Sequence, residues 1–424
     1  MKDITAILIN DSNQMVLQKA VTSLKYIQTR LKSLIIPHNP DTSSKAKLEY
    51  GLNNKVEFIS GKSDDLGQLL NHTIDRITTP YILILQGTDY LSPNIDNDAL
   101  NLPESKQVLG TYYHNQSIII QRPLLISTPF LKKNRLPPIK HLPFKEALLP
   151  AWLSKISPSI QLFKEGLVKQ SRKNHSSIVL EKEKIIQKYQ HTKSVSKAPS
   201  LSVMMTNYNS EKYVEAALVS CLLQSEPFDQ ILIMDDGSTD NSYQQLLRWE
   251  NIENVRLFHK KNGGKARALN DLLSYVQSEY VLELDADDWL DPDAVTIIKN
   301  YLSEVSSEVA VLYGNLRKWK QLTEDVLFKG VAKGTPVSGR KDLLSYRFPL
   351  GPRIYRTTIL KRAEGFPVIE FEDGRLYEDV SVLLRLLSIS PIRYQNFTVY
   401  NVREHQKSIT KQYEPKWNEF LKHL

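Results

Sequence analysis

The stretch Tyr280-Val281-Leu282-Glu283-Leu284-Asp285-Ala286-Asp287-Asp288-Trp289-Leu290-Asp291-Pro292 runs from apolar residues into carboxylates and closes on a proline. This pattern predicts a buried strand whose polar end opens into a turn. The N-terminal half carries the same arrangement as Tyr81-Ile82-Leu83-Ile84-Leu85-Gln86-Gly87-Thr88-Asp89-Tyr90-Leu91-Ser92-Pro93.

Working outward, the echo extends in both directions. Ile4-Thr5-Ala6-Ile7-Leu8-Ile9-Asn10 matches Leu201-Ser202-Val203-Met204-Met205-Thr206-Asn207, and each run is followed by helical periodicity. Leu34-Ile35-Ile36-Pro37 stands against Leu232-Ile233-Met234-Asp235, and Asn71 precedes Tyr81 by the interval that separates Asn270 from Tyr280. An internal repeat of strand and helix predicts two related α/β domains with mostly parallel, Rossmann-like sheets. Expected boundaries are 1–165 for the first domain, 166–199 for a basic, helical linker and 200–424 for the second domain.

The chain has 424 residues, 41% of them hydrophobic, enough for two cores. No run approaches the roughly 20 apolar residues of a membrane span, and Met1-Lys2-Asp3 leads directly into a strand. A soluble, cytoplasmic protein is therefore expected. The lone Cys221 lies in an apolar helical pattern and reads as a core thiol. The formal charge of +8 favours anionic partners. No nucleic-acid reading motif accompanies it, so nucleic acid is not expected as a partner.

In an open α/β sheet, ligands bind where strands end. Three such ends are polar: Thr206-Asn207-Tyr208-Asn209, Asp235-Asp236-Gly237-Ser238-Thr239-Asp240, and Asp285-Ala286-Asp287-Asp288. Carboxylates crowded at the last repel one another unless a cation or hydrogen-bond donors compensate them, and hard oxygens suit Mg2+ or Mn2+.

These segments, with Asn262-Gly263-Gly264-Lys265-Ala266-Arg267-Ala268-Leu269-Asn270, resemble in content and order family 2 of the inverting glycosyltransferases of GT-A fold. The likeness extends from Leu201 to about Lys411. It implies a nucleotide-diphosphate sugar donor, most commonly a UDP-sugar, and a glycan or polysaccharide acceptor. Thr206 and Tyr208 would line the base pocket, Asp235 would accept from the base, and Asn209 and Asp236 would complete the donor loops. Asp285 and Asp287 would serve ribose and metal, with Asp287 the direct ligand. Lys265 and Arg267 would either reach the donor phosphates or be solvated charges of a capped helix. His405, in Arg403-Glu404-His405-Gln406-Lys407-Ser408, would contact metal or diphosphate, or be structural. Gly351-Pro352, Tyr355-Arg356 and Glu364-Gly365-Phe366 resemble the acceptor side.

Tyr377-Glu378-Asp379 stands where the family keeps its catalytic pair. The resemblance makes Asp379 the general base and Glu378 its support; the plainer alternative is a helix N-terminus favoured by acidic residues. In the first domain Gln86 replaces Asp285, Thr88 replaces Asp287 and Pro37 is aligned with Asp235, so that domain reads as degenerate and noncatalytic. A slighter resemblance, in Met205-Thr206-Asn207-Tyr208-Asn209 and Ile233-Met234-Asp235-Asp236, is to bacterial spore-coat and spore-maturation glycosyltransferases. The rival expectation is an inactive carbohydrate-binding or assembly scaffold. A homo-oligomer is compatible with either.

Overall fold

The computed structural model describes residues 2–9, 14–37, 55–59, 65–95, 98–171, 175–190, 199–323, 325–346, 350–406 and 416–422. The chain divides into two compact units, Met1–Gln190 and His191–Leu424. Each is a mixed α/β unit built on a parallel-rich sheet.

In the first unit, strands β1 (Ile4–Ile9), β2 (Leu31–Pro37), β3 (Lys55–Ile59), β4 (Tyr81–Gln86), β6 (Val108–Asn115), β7 (Ile118–Ser127) and β8 (Gln161–Phe163) form one sheet. Its order is β3-β2-β1-β4-β7-β6-β8. A small second sheet pairs β5 (Asp89–Leu91) with β9 (Val168–Gln170).

The second unit uses β10 (Leu201–Asn207), β11 (Ile231–Asp235), β12 (Val255–His259), β13 (Tyr280–Asp285), β14 (Trp289–Leu290), β15 (Val311–Gln321), β16 (Val326–Ala332), β17 (Arg353–Arg356) and β18 (Ile392–Glu404). Their order, β12-β11-β10-β13-β17-β15-β18-β14 with β16 on β15, begins as the first sheet does. In both, three parallel pairings are followed by an antiparallel strand that feeds a short helix, Thr128–Lys133 or Thr357–Arg362.

The repeat holds residue by residue. Ile4 pairs with Tyr81 and Leu201 pairs with Tyr280. Helices α2 (Leu66–Arg76) and α8 (Lys265–Leu273) carry the two echoing asparagines. Asn71 donates to the Leu136 carbonyl at 2.9 Å and accepts from its N–H at 3.0 Å; Asn270 does the same at Phe366, at 2.8 and 2.7 Å. One amide side chain thus closes both backbone groups of a buried turn, a use that no apolar residue can replace.

Two expectations are revised. The segment 166–199, expected as a linker, is largely part of the first unit. It contains β9 and the helix α5 (Ser177–Gln187). Its charges are in part internal: Glu183 is buried and accepts from Tyr113 Oη and Asn115 Nδ2, both at 2.7 Å, while Lys182 reaches Glu146 at 3.1 Å. Residues 191–198 lie outside the described residues. The alignment of Pro37 with Asp235 is also shifted. Ile7 pairs with Ile35 as Met204 pairs with Leu232, which puts Pro37 at Met234; residue 38, matching Asp235, lies outside the described residues.

Cys221 is buried on α6 (Val214–Leu222), and burial pushes its thiol up to about 12, so it packs as an inert apolar group. Among the described residues no helix is long and apolar enough to cross a membrane.

Asn270→Ala should leave the Phe366 N–H and carbonyl unpaired. An expected loss of about 1–3 kcal/mol is checked by urea denaturation followed by tryptophan fluorescence.

Candidate active site

The ends of β10, β11 and β13 lie side by side, since Thr206 pairs with both Met234 and Asp285 and Asn207 pairs with Asp235. The two loops that follow β10 and β11 are laced together by carboxylates. Asp235 is fully buried and accepts from Asn207 Nδ2 and Ser238 Oγ, both at 2.6 Å, and from Ser238 N at 3.0 Å, with His259 Nδ1 at 2.9 Å. Asp236 is buried as well; its two oxygens accept from Gly263 N at 2.9 Å and Gly264 N at 2.7 Å. Asn209 accepts from Thr239 N at 2.8 Å.

Glycine is required in two of these places. A Cβ on Gly237, at φ 72°, would stand 2.5 Å from Asn262 N; Gly264 has φ 92°, which side chains rarely adopt. The Asp-Asp-Gly and Asn-Gly-Gly motifs are therefore one lock, holding the start of α8 against the sheet edge. Asp235, Asp236 and Asn209 serve that lock and accept from protein donors. Arg267 binds the Gly263 carbonyl at 2.8 Å, the Asp373 carbonyl at 2.9 Å and the Asp373 carboxylate at 2.8 Å. Tyr208, by contrast, is 52% exposed beside the strand end, and Thr206 is half-buried.

Lys265, at the first position of α8, joins the site together. Its ammonium lies 2.5 Å from Asp285, 3.0 Å from Glu283 and 3.3 Å from Glu378. Burial opposes its charge, but Asp285, Glu283 and Glu378 outweigh that and hold it well above the usual lysine range. Beneath it, Glu283 is held on both oxygens by Arg353, at 2.8 and 2.9 Å, and accepts from Tyr355 Oη at 2.9 Å. Burial disfavours its ionisation, and Arg353 and then Lys265 reverse this, keeping the carboxyl well below its usual range. Arg353 also faces Asp379 at 3.6 Å.

Glu378 and Asp379 open the helix α12 (Glu378–Leu387). Asp379 Oδ1 accepts from Val380 N at 2.8 Å, and its other oxygen faces Arg353. Burial, against the pull of Lys265 and with Asp379 and Glu283 adding to it, raises Glu378 above the usual range. The expected catalytic pair is thus brought to the end of β13, although it lies almost a hundred residues further along the chain.

On the other side, Asp287 meets His405 Nε2 at 2.9 Å, and the His405 ring packs on Tyr213 at 4.9 Å. Asp288 is buried and accepts from Arg403 N at 2.7 Å; burial, then Asp287 and Asp285, push it well above the usual range. Lys407 and Ser408 of the same motif lie outside the described residues. Among the described residues no group of three or more His, Cys, Asp or Glu side chains is placed to hold a metal ion. What stands there is a pair of donors, Asp287 with His405, while the half-exposed Asp285 is bound to Lys265. Mg2+ and Mn2+ keep few protein ligands and complete their shells with water and phosphate, so these donors fit such a cation.

Composition did not single out Arg353 or Tyr355 as partners of Glu283. The available signal was a glutamate inside a strand otherwise apolar, which demands a buried cation. The first unit shows the apolar version. The positions matching Lys265, Glu283, Arg353 and Tyr355 are Leu66, Ile84, Leu124 and Ile126, by the register of β4 with β7 and of β13 with β17 and by the matched asparagines. Gln86 and Thr88 stand for Asp285 and Asp287, and only Asp89 persists, buried against Arg122 at 3.0 Å.

Residues 202–329 match the profile of Glycosyl transferase family 2. A hyaluronan synthase of Pasteurella multocida is 34% identical over 112 residues, 26% of this chain and 12% of that protein. The poly(ribitol-phosphate) beta-N-acetylglucosaminyltransferase TarS of Staphylococcus aureus is 30% identical over 174 residues, 38% of this chain and 28% of that protein. Glycosyltransferase GlyG of Streptococcus pneumoniae is 26% identical over 221 residues, 50% of this chain and 73% of its own length. The chain thus spans only a minor part of the two longer relatives. A TarS fragment solved in complex with UDP aligns at 25% identity and TM-score 0.38, over 48% of this chain and 60% of that one.

The buried pairing is testable without substrate. Arg353→Leu strands the Glu283 carboxylate and should cost about 3–5 kcal/mol, while Glu283→Ile with Arg353→Leu, the pair found in the first unit, should recover most of it. Because the Glu283 carboxyl is held low, its contribution is complete above the unfolded value of about 4.3 and is lost as pH falls through the folded one. Denaturation midpoints below about pH 4.5 should therefore fall less steeply in the double variant.

Proposed function

We propose, from the premise that residues 202–329 are a family 2 glycosyltransferase domain, that the second unit transfers a glycosyl group from a UDP-sugar to a glycan hydroxyl with inversion. The observation that carries this reading is Lys265, whose single ammonium binds Asp285 at the donor-side strand end and Glu378 on the helix that bears the base. One cation thereby sets the distance between the two halves of a displacement reaction.

In this reading the exposed Tyr208 ring is the platform for the base and Thr206 borders it, while Asp235, Asp236 and Asn209 keep the donor loops rigid. Asp287, with Asp285 and His405, would hold Mn2+ or Mg2+, which when bound neutralises the charge of the departing diphosphate. Asp379 accepts the proton of the acceptor hydroxyl as that oxygen forms its bond to the anomeric carbon and the bond to the diphosphate breaks. Glu378 fixes Lys265, and Arg353 faces and orients Asp379.

A polymeric acceptor is supported by relatives named as a hyaluronan synthase and a poly(ribitol-phosphate) transferase. The first unit, with Leu66, Ile84, Leu124 and Ile126 at the positions where the second holds its ion pairs, contributes no transfer chemistry.

Asp379→Asn keeps the shape and removes the base. Transfer should fall by about 100-fold or more, with UDP binding retained, as read from UDP release in an acceptor panel. Transfer at the wild-type rate would move the base elsewhere.

A further inference from the structure

Tyr377, the residue before the carboxyl pair, has φ 57° and ψ 29°, and Glu372 and Asp373 on the same turn have φ 49° and 54°. Left-handed backbone is unfavourable for residues with a side chain beyond Cβ, and bulky ones above all. Three such residues within six positions need outside restraint.

Two kinds of contact supply it. Asp373 is bound by Arg267 at 2.8 Å, Glu372 by Lys416 at 2.5 Å, and Arg375 reaches Asn262 at 2.6 Å, anchoring the turn to the start of α8 and to the C-terminal segment. The Tyr377 ring is packed on Phe420 at 4.5 Å and meets Trp417 edge-on at 5.3 Å. Phe420 is fully buried, and with Phe371 and Leu376 it forms a small cluster separate from the two main cores of this unit.

We propose that the C-terminal helix Trp417–Phe420 positions the base: its rings hold Tyr377 in the left-handed conformation and so aim Asp379 at the acceptor. The reason lies in how Asp379 is attached. Its Oδ1 is bound to the N–H of Val380, so the side chain turns with its own helix, and the direction in which that helix starts is set at Tyr377, its N-cap. Phe420 and Trp417 touch no reacting group and act only through Tyr377. The proposal rests on the reading of Asp379 as base.

The test uses the full chain and the donor and acceptor pair that supports transfer. Phe420→Ala should lower kcat by about 10- to 100-fold through misaimed chemistry. Donor KM and UDP affinity should stay within about twofold, since donor binding lies elsewhere. Phe420→Tyr should restore kcat. Trp417→Ala, which removes only the edge-on ring, should show a weaker loss of the same kind and serves if Phe420→Ala does not fold. Glycine adopts positive φ without help, so in a Tyr377→Gly background Phe420→Ala should have no further effect on kcat. An unchanged kcat in Phe420→Ala, a parallel loss of UDP affinity, or an undiminished effect in the Tyr377→Gly background overturns the proposal. Full transfer by Asp379→Asn overturns the base assignment and this proposal together; loss of transfer there with an unaffected Phe420→Ala overturns the positioning role alone.

Discussion

The second unit depends on one buried carboxylate. Glu283 sits inside a parallel strand with 2% exposure, where an unpaired charge would be prohibitive. It is tolerated because Arg353 covers both its oxygens and Lys265 and Tyr355 complete the shell. The partners come from two other elements, Arg353 and Tyr355 from β17 and Lys265 from α8, so the carboxylate joins β13, β17 and α8. The two cations then point onward, Lys265 to Asp285 and Glu378, and Arg353 to Asp379. A charge that contributes little net stability thereby orders Asp285, Glu378 and Asp379.

The first unit makes the comparison internal to the chain. It keeps the strand order, the register of its central pair and the asparagine that closes the turn after α2. It fills the equivalent positions of the charge network with Leu66, Ile84, Leu124 and Ile126. The fold therefore does not need the ion pairs, and their retention in the second unit points to chemistry. Asp89 with Arg122 shows what persists of a strand-end acid once its neighbours are gone: a closed structural pair.

Much of this was legible from residue order. The duplicated runs at Ile4 and Leu201, and at Tyr81 and Tyr280, are short apolar strands with polar ends, and they occupy equivalent places in the two sheets. The gathering of Asp285, Lys265, Glu378, Asp379, Asp287 and His405 near one strand end was legible only through the family resemblance, because these residues are separated by up to 140 positions of the sequence. Side-chain direction was not legible. Asp235, Asp236, Asn209 and Arg267 have the residue types that bind nucleotides, and the structure adds protein partners the residue types did not announce: backbone amides for the first three and the distant Asp373 carboxylate for Arg267. The burial of Glu181, Lys182 and Glu183 was hidden for a related reason: a charged amphipathic helix looks the same whether it faces water or a polar core.

The most direct measurement is a calorimetric titration of UDP, GDP, CDP and dTDP into the full chain with Mn2+, repeated with EDTA and with an Asp287→Ala variant. The expected result is binding of UDP that needs the cation and disappears in the variant. Absence of binding by all four nucleotides, or UDP binding indifferent to both EDTA and Asp287, would contradict it.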